Sequence, residues 1–109
     1  MLKLFIPKNE NSPRFRRYMA NKINNYSLKY VTERDEKNMD VVISKGGVIH
    51  IKDKQLLVYG AGSDILFCAD IESIKISELM SLEGVILEGF DHISKKERKI
   101  VAHYYYYRK

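Results

Sequence analysis

The sequence predicts an α+β fold: one N-terminal β-α unit followed by a mostly antiparallel curved sheet, built as a meander plus a C-terminal hairpin. Three observations carry this expectation. Ser12-Pro13 opens the one stretch with helical periodicity, where Ser caps free amides and Pro fits the first helical position. From residue 27 onward apolar residues recur with period two, as on a half-buried strand. Polar turns at Asp53-Lys54 and Gly60-Ala61-Gly62-Ser63 divide these runs, which is the pattern of an antiparallel meander. The 109 residues are the size of a single domain, 1–109, and 45% apolar residues suffice for a core.

Each element has its own reason. Leu2-Lys3-Leu4-Phe5-Ile6 reads as a strand ended by Pro7. A helix over 13–25 places Phe15, Tyr18, Met19, Ile23 and Tyr26 on one side and Arg14, Arg17, Asn21 and Asn24 on the other. Lys22 falls inside the apolar sector and must snorkel. Strands follow at 27–33, 41–43, 48–52, 55–59, 64–68 and 71–77, with Ile74 and Ile76 facing one way. Residues 78–82 read as one helical turn, and 85–88 pair with 98–107 across a polar loop at 89–97. The meander over 48–77, with its Asp70-Ile71-Glu72-Ser73-Ile74 corner, resembles the rhythm of small barrels such as PH-like domains. Those domains end in a long amphipathic helix, whereas 98–107 reads as a strand.

Charge is unevenly distributed. Residues 1–29 hold seven Lys/Arg against one acid, and 94–109 hold six against one; 30–93 hold twelve acids against six bases, for a net charge of +5. Two basic segments that also carry tyrosines predict a basic, aromatic binding face. Its members are Arg14, Arg16, Arg17, Lys22, Lys95, Lys96, Lys99, Arg108 and Lys109, with Tyr105 and Tyr107 as stacking residues. Alternation along the last strand puts Tyr105 and Tyr107 on one side and Tyr104 and Tyr106 on the other, so that one pair serves the core. Three arginines in the first helical turn oppose the helix dipole, at a cost of about 0.3–1 kcal/mol each when exposed. Such a cost points to an external anion. The acids Asp64, Asp70, Glu72, Glu78, Glu83, Glu88 and Asp91 read as solvated turn and strand-end residues. Basic ends and an acidic middle also allow contact between copies in a homo-oligomer.

No reaction is named by any motif. Gly60-Ala61-Gly62 leads into a strand rather than a helix, so no helix dipole awaits a phosphate. Asp40 with His50-Ile51-Lys52 echoes a metal-dependent nuclease strand, but one carboxylate and one His are too few to hold Mg²⁺. His50 points to the polar face, His92 lies in a loop, and His103 shares a face with Val101 and Tyr105. The lone Cys68 sits in an apolar run and reads as a buried, inert thiol. No apolar stretch has the length of a signal peptide or a membrane span. A cytoplasmic, non-enzymatic protein without cofactor or metal is therefore expected. Its partner is a nucleic acid, or alternatively an acidic groove on another protein. The richness in Lys, Ile, Asn and Tyr, with no Trp, accords with a phage or mobile element of an AT-rich genome.

Overall fold

A computed structural model describes residues 13–104 of the chain. Helix α1 (Pro13–Ile23) precedes eight strands: β1 (Ser27–Arg34), β2 (Asp40–Ser44), β3 (Gly47–Lys52), β4 (Gln55–Gly60), β5 (Ile65–Asp70), β6 (Lys75–Glu78), β7 (Gly84–Asp91) and β8 (Lys96–Tyr104). The expected strand at 2–6 and the positions Tyr105 to Lys109 lie outside the described residues. All strand pairs are antiparallel, in the order β5-β4-β3-β1-β8-β7-β6, with β2 paired to β1. The result is an open, strongly curved sheet with one short helix.

The helix lies where its apolar stripe dictates. Phe15, Met19, Ala20 and Ile23 are buried in one core with Val31, Ile49, Leu56, Phe67, Leu87 and Ile100 from the concave side of the sheet. Full burial of a side chain such as Met19 or Ile23 contributes roughly 1.5–3 kcal/mol. Two residues after the helix, Asn25 takes a left-handed conformation, φ 69°, which Asn tolerates well. The Asn25 amide donates to the Ile49 carbonyl at 2.7 Å, and the Ile51 amide donates to Asn24 Oδ1 at 2.9 Å. The helix thus stops at Ile23 rather than 25, because its exit is bonded to β3. Lys22 reaches outward to Glu78 at 3.1 Å, as a snorkelling lysine should. Tyr104 is buried edge-on against Tyr26, ring centroids 4.8 Å apart.

β2 and β3 form one bent arm, and Gly47 permits the bend. Its φ is 142°, and a Cβ there would overlap the Tyr59 carbonyl oxygen of β4. A second device closes the curl. β5 and β6 are consecutive in sequence yet occupy opposite ends of the strand order, so the 71–74 linker crosses the gap between them. Across the same gap the His92 amide donates to the Cys68 carbonyl at 2.8 Å. The Cys68 amide donates to Asp91 Oδ1 at 3.0 Å.

Asp91, expected among solvated acids, is instead 0% exposed. Its Oδ1 also accepts from the Ile93 amide at 3.1 Å, and its Oδ2 accepts from the Ser94 amide at 3.0 Å and from Arg98 Nη1 at 2.8 Å. Arg98 Nη1 donates to the Leu66 carbonyl of β5 at 2.8 Å, while Nε and Nη2 form a fork on Glu33 of β1 at 2.9 and 2.7 Å. One guanidinium therefore ties β8 to β1, β5 and β7. Burial alone would raise the Asp91 pKa, but these donors outweigh it and hold the carboxyl well below its usual range. Glu33 is lowered chiefly by its bonds to Arg98. The Arg98 guanidinium is held charged more firmly still.

Two further expectations are corrected. The polar stretch 89–97 is not a loop: β7 runs to Asp91, β8 starts at Lys96, and Gly89 pairs with Arg98. The Asp91 side chain builds the tight turn by binding the Ile93 and Ser94 amides, which lets charged residues continue the ladder beyond the core. Residues 78–82 form a turn rather than a helical one, since Leu79 donates to the Gly84 carbonyl and Leu82 adopts φ 64°.

Replacing Asp91 by Asn removes the charge and one acceptor while keeping the shape. A loss of roughly 3 kcal/mol or more is expected, read as a lower midpoint in urea. The folded-state pKa of each carboxyl is depressed, so its stabilisation is present above about pH 4 and lost as the pH falls below that. Acid unfolding of Asp91→Asn should therefore be less steep than that of the wild type.

Candidate functional site

The segregated charges of the sequence meet inside the fold. Arg16 Nη1 donates to the Glu72 carbonyl at 2.7 Å, and Arg17 lies 3.9 Å from the Glu72 carboxylate. Lys22 pairs with Glu78, Lys29 with Glu83 at 3.3 Å, and Lys99 with Glu88 at 3.9 Å. Several of the described basic residues are thereby laid on the acidic middle within one chain. Residues 13–104 contain fifteen Lys/Arg and thirteen Asp/Glu, so the described part of the chain is close to neutral. Arg16 also explains itself locally: it serves a turn carbonyl, a structural gain that the sequence does not reveal.

The described members of the expected basic face lie on α1, on β8 and at the β7–β8 turn. Arg14 and Arg17 are exposed on α1, where Arg17, Asn21, Lys54 and Glu72 rim a cleft of about 230 Å³ floored by Ala20, Ile51 and Ile71. Lys95 and Lys96 sit at the β7–β8 turn, Lys95 donating its amide to the Asp91 carbonyl. Tyr105, Tyr107, Arg108 and Lys109 lie outside the described residues.

A different cluster emerges on the face of the sheet opposite the core, where Thr32 and Val101 are themselves buried. In β8, Ile100, Ala102 and Tyr104 belong to the core, so Lys99, Val101 and His103 alternate to the other face. In β1, Val31 faces the core and Thr32 lies opposite Val101. The ladder sets Tyr30 against His103, and their rings stack with centroids 4.2 Å apart and 19° between planes. Thr32 Oγ1 lies 3.4 Å from His103 Nε2. Arg34, on the same face, forks onto Asp40 at 2.8 and 3.2 Å. Tyr30 remains 38% exposed. The sequence placed His103 correctly with Val101, but its aromatic partner depends on an irregular register between Leu28 and Tyr30. Alternation alone does not predict that register.

The remaining chemistry-bearing side chains are accounted for locally. His50 Nδ1 lies 3.2 Å from Asn25 Oδ1, and His92 Nε2 lies 3.3 Å from Asp70. Cys68 is buried, and desolvation raises its thiol pKa. Among the described residues no three His, Cys, Asp or Glu side chains are grouped to hold a metal, and no helix is long and apolar enough to cross a membrane.

Burial lowers the His103 pKa, reinforced by Lys29 and Arg34 and opposed by Asp40. The imidazole is thus neutral near pH 7, and its titration by NMR should have a midpoint below roughly 6.5. Tyr30→Ala exposes the ring and should move that midpoint upward. A folded pKa below the unfolded one means that this site opposes folding as the pH falls below about 6.5, and His103→Phe should remove that component.

No protein-family model matches this sequence, and comparison with curated proteins and with solved structures gave no match either.

Proposed function

We propose that the chain is a small binding protein, without catalysis, that takes single-stranded nucleic acid on the face of β1 and β8 opposite the core. The stacked, part-exposed Tyr30–His103 pair carries this reading. A base laid on an aromatic ring contributes about 1–3 kcal/mol, and every base has such a face, so sequence selectivity should be low. Only unpaired bases reach a platform of this kind, which favours single strands over duplex.

Two cations lie close enough to act on His103, namely Lys29 and Arg34, while Lys99 lies farther along the same face of β8. The acidic partners of Lys29 and Lys99 are partly exposed, and exposed pairs of this kind are worth about 0–1 kcal/mol, whereas Arg34 forks onto Asp40 and is held more firmly. Phosphate can replace such carboxylates at little cost. In sequence, Tyr105, Tyr107, Arg108 and Lys109 come directly after β8. The cations of α1 belong to the core-facing side of the sheet, where the helix packs.

Fluorescence anisotropy with labelled single-stranded and duplex oligonucleotides, across a salt series, tests this function. Single strands should bind more tightly, and affinity should fall with salt at a slope of roughly −0.7 per phosphate contacted. Tyr30→Ala should weaken binding by about tenfold, while Tyr30→Phe retains it. Equal affinity for duplex, with Tyr30→Ala binding like the wild type, would overturn the proposal. No binding at low salt would move the search to a protein partner with an acidic groove.

A further inference from the structure

Three elements wall the cleft beside α1, and hydrogen bonds fix them against one another. The Ile51 amide of β3 donates to Asn24 Oδ1 at 2.9 Å, which sets the strand against the helix exit. The Ile71 amide donates to the Lys54 carbonyl at 3.1 Å, joining the 71–74 linker to the β3–β4 turn. Arg16 Nη1, from the helix, donates to the Glu72 carbonyl at 2.7 Å. The walls are thus anchored through the backbone, as a preformed site requires. The floor of Ala20, Ile51 and Ile71 carries no charge. At about 230 Å³ the cleft is smaller than the roughly 300–1,000 Å³ that takes a drug-sized ligand. It matches a short aliphatic chain or a single ring.

Charge at the rim narrows the class of ligand. Arg17 and Lys54 against Glu72 leave one excess positive charge there. Arg17 and Glu72 lie 3.9 Å apart and largely cancel. Lys54 is exposed, and among the described residues it has no ion pair. Its backbone is a second observation. Asp53 and Lys54 form the two-residue β3–β4 turn with φ 51° and 64°. Turns of this kind favour Asn-Gly, since glycine reaches positive φ without a Cβ penalty. A lysine at the glycine position carries a backbone cost, and what it gains is an ammonium at the mouth of the cleft. Beyond Lys54 the surface turns acidic: a neighbouring cleft of about 360 Å³ is lined by Asp53 and Asp70 together with Lys54 and Glu72. That neighbourhood repels a polyanion and selects a ligand with a single negative charge.

We propose that the cleft binds a small apolar monocarboxylate, its chain on Ala20, Ile51 and Ile71 and its carboxylate drawn to Lys54 and Arg17. Burial of each methylene on the floor supplies affinity, and the charge-assisted bond to Lys54 supplies selectivity for a carboxylate. The cleft lies on the helix-bearing side of the sheet, apart from the Tyr30–His103 pair, and stands independently of the function proposed for that pair.

Amide NMR of the full chain during titration with sodium hexanoate tests this site. The amides of Ala20, Asn21, Ile51 and Ile71 should shift saturably, with a Kd of roughly 1 mM or below, within reach of so few non-hydrogen atoms. Hexanamide keeps the chain without the charge, and acetate keeps the charge without the chain. Each should bind at least about tenfold more weakly than hexanoate. Lys54→Gln should weaken hexanoate binding by about tenfold, while Lys54→Arg retains it. Absence of saturable shifts at these amides, equal binding of hexanamide, or an unchanged Kd in Lys54→Gln would overturn the proposal.

Discussion

Asp91 sits without exposed surface at the place where the two ends of a curled sheet meet, and it stays ionised because four donors surround it. Burying an uncompensated carboxylate costs several kcal/mol, so removing any strong donor would leave a charge with too few partners. Three of the four donors are backbone amides, from β5 and from the β7–β8 turn. The fourth is Arg98, whose remaining bonds reach Glu33 and the Leu66 carbonyl. The requirement to satisfy one charge thus fixes the position of β5 relative to β7, the shape of a turn and the register of β8 against β1. A hydrophobic filling of equal volume could be as stable, but it would not specify which strand ends meet.

The same economy governs the surface. Part of the conspicuous feature of the sequence, basic ends around an acidic middle, is taken up among the described residues by pairs between α1 and the 72–78 region, between Lys29 and Glu83, and between β8 and β7. Exposed pairs of this kind add little stability. Their consequence is electrostatic: a domain that looks strongly basic in segments is nearly neutral over residues 13–104. Recognition by the proposed face therefore depends more on stacking than on net charge.

Much of the fold was legible, and the reasons are local. The helix start at Pro13, the stripe of Phe15, Met19 and Ile23, the alternation around Ile49 and the paired burial of Ile74 and Ile76 are properties of neighbouring residues, and periodicity reports them. The misses are non-local. Residues 89–97 look like a polar loop because their side chains lie beyond the core, yet they are held in a ladder by a carboxylate that bonds to β5. Tyr30 and His103 lie far apart in the chain, and only the irregular β1–β8 register brings them together. Arg16 seemed wasted beside two other arginines until its carbonyl acceptor was placed. Charge counts identified the cations but not their partners, since complementarity within a chain and complementarity to a ligand look alike in sequence.

Native-state hydrogen exchange tests most directly whether the buried clasp holds the seam. The amides of Cys68 and His92, one on the Asp91 carboxylate and one on the Cys68 carbonyl, cross the gap between β5 and β7. If the clasp is integral to the fold, both should exchange as slowly as the amide of Leu87 in the middle of β7, through opening of the whole molecule. Exchange of these two amides faster by orders of magnitude, while Leu87 remains protected, would show that the seam opens independently and would contradict this account.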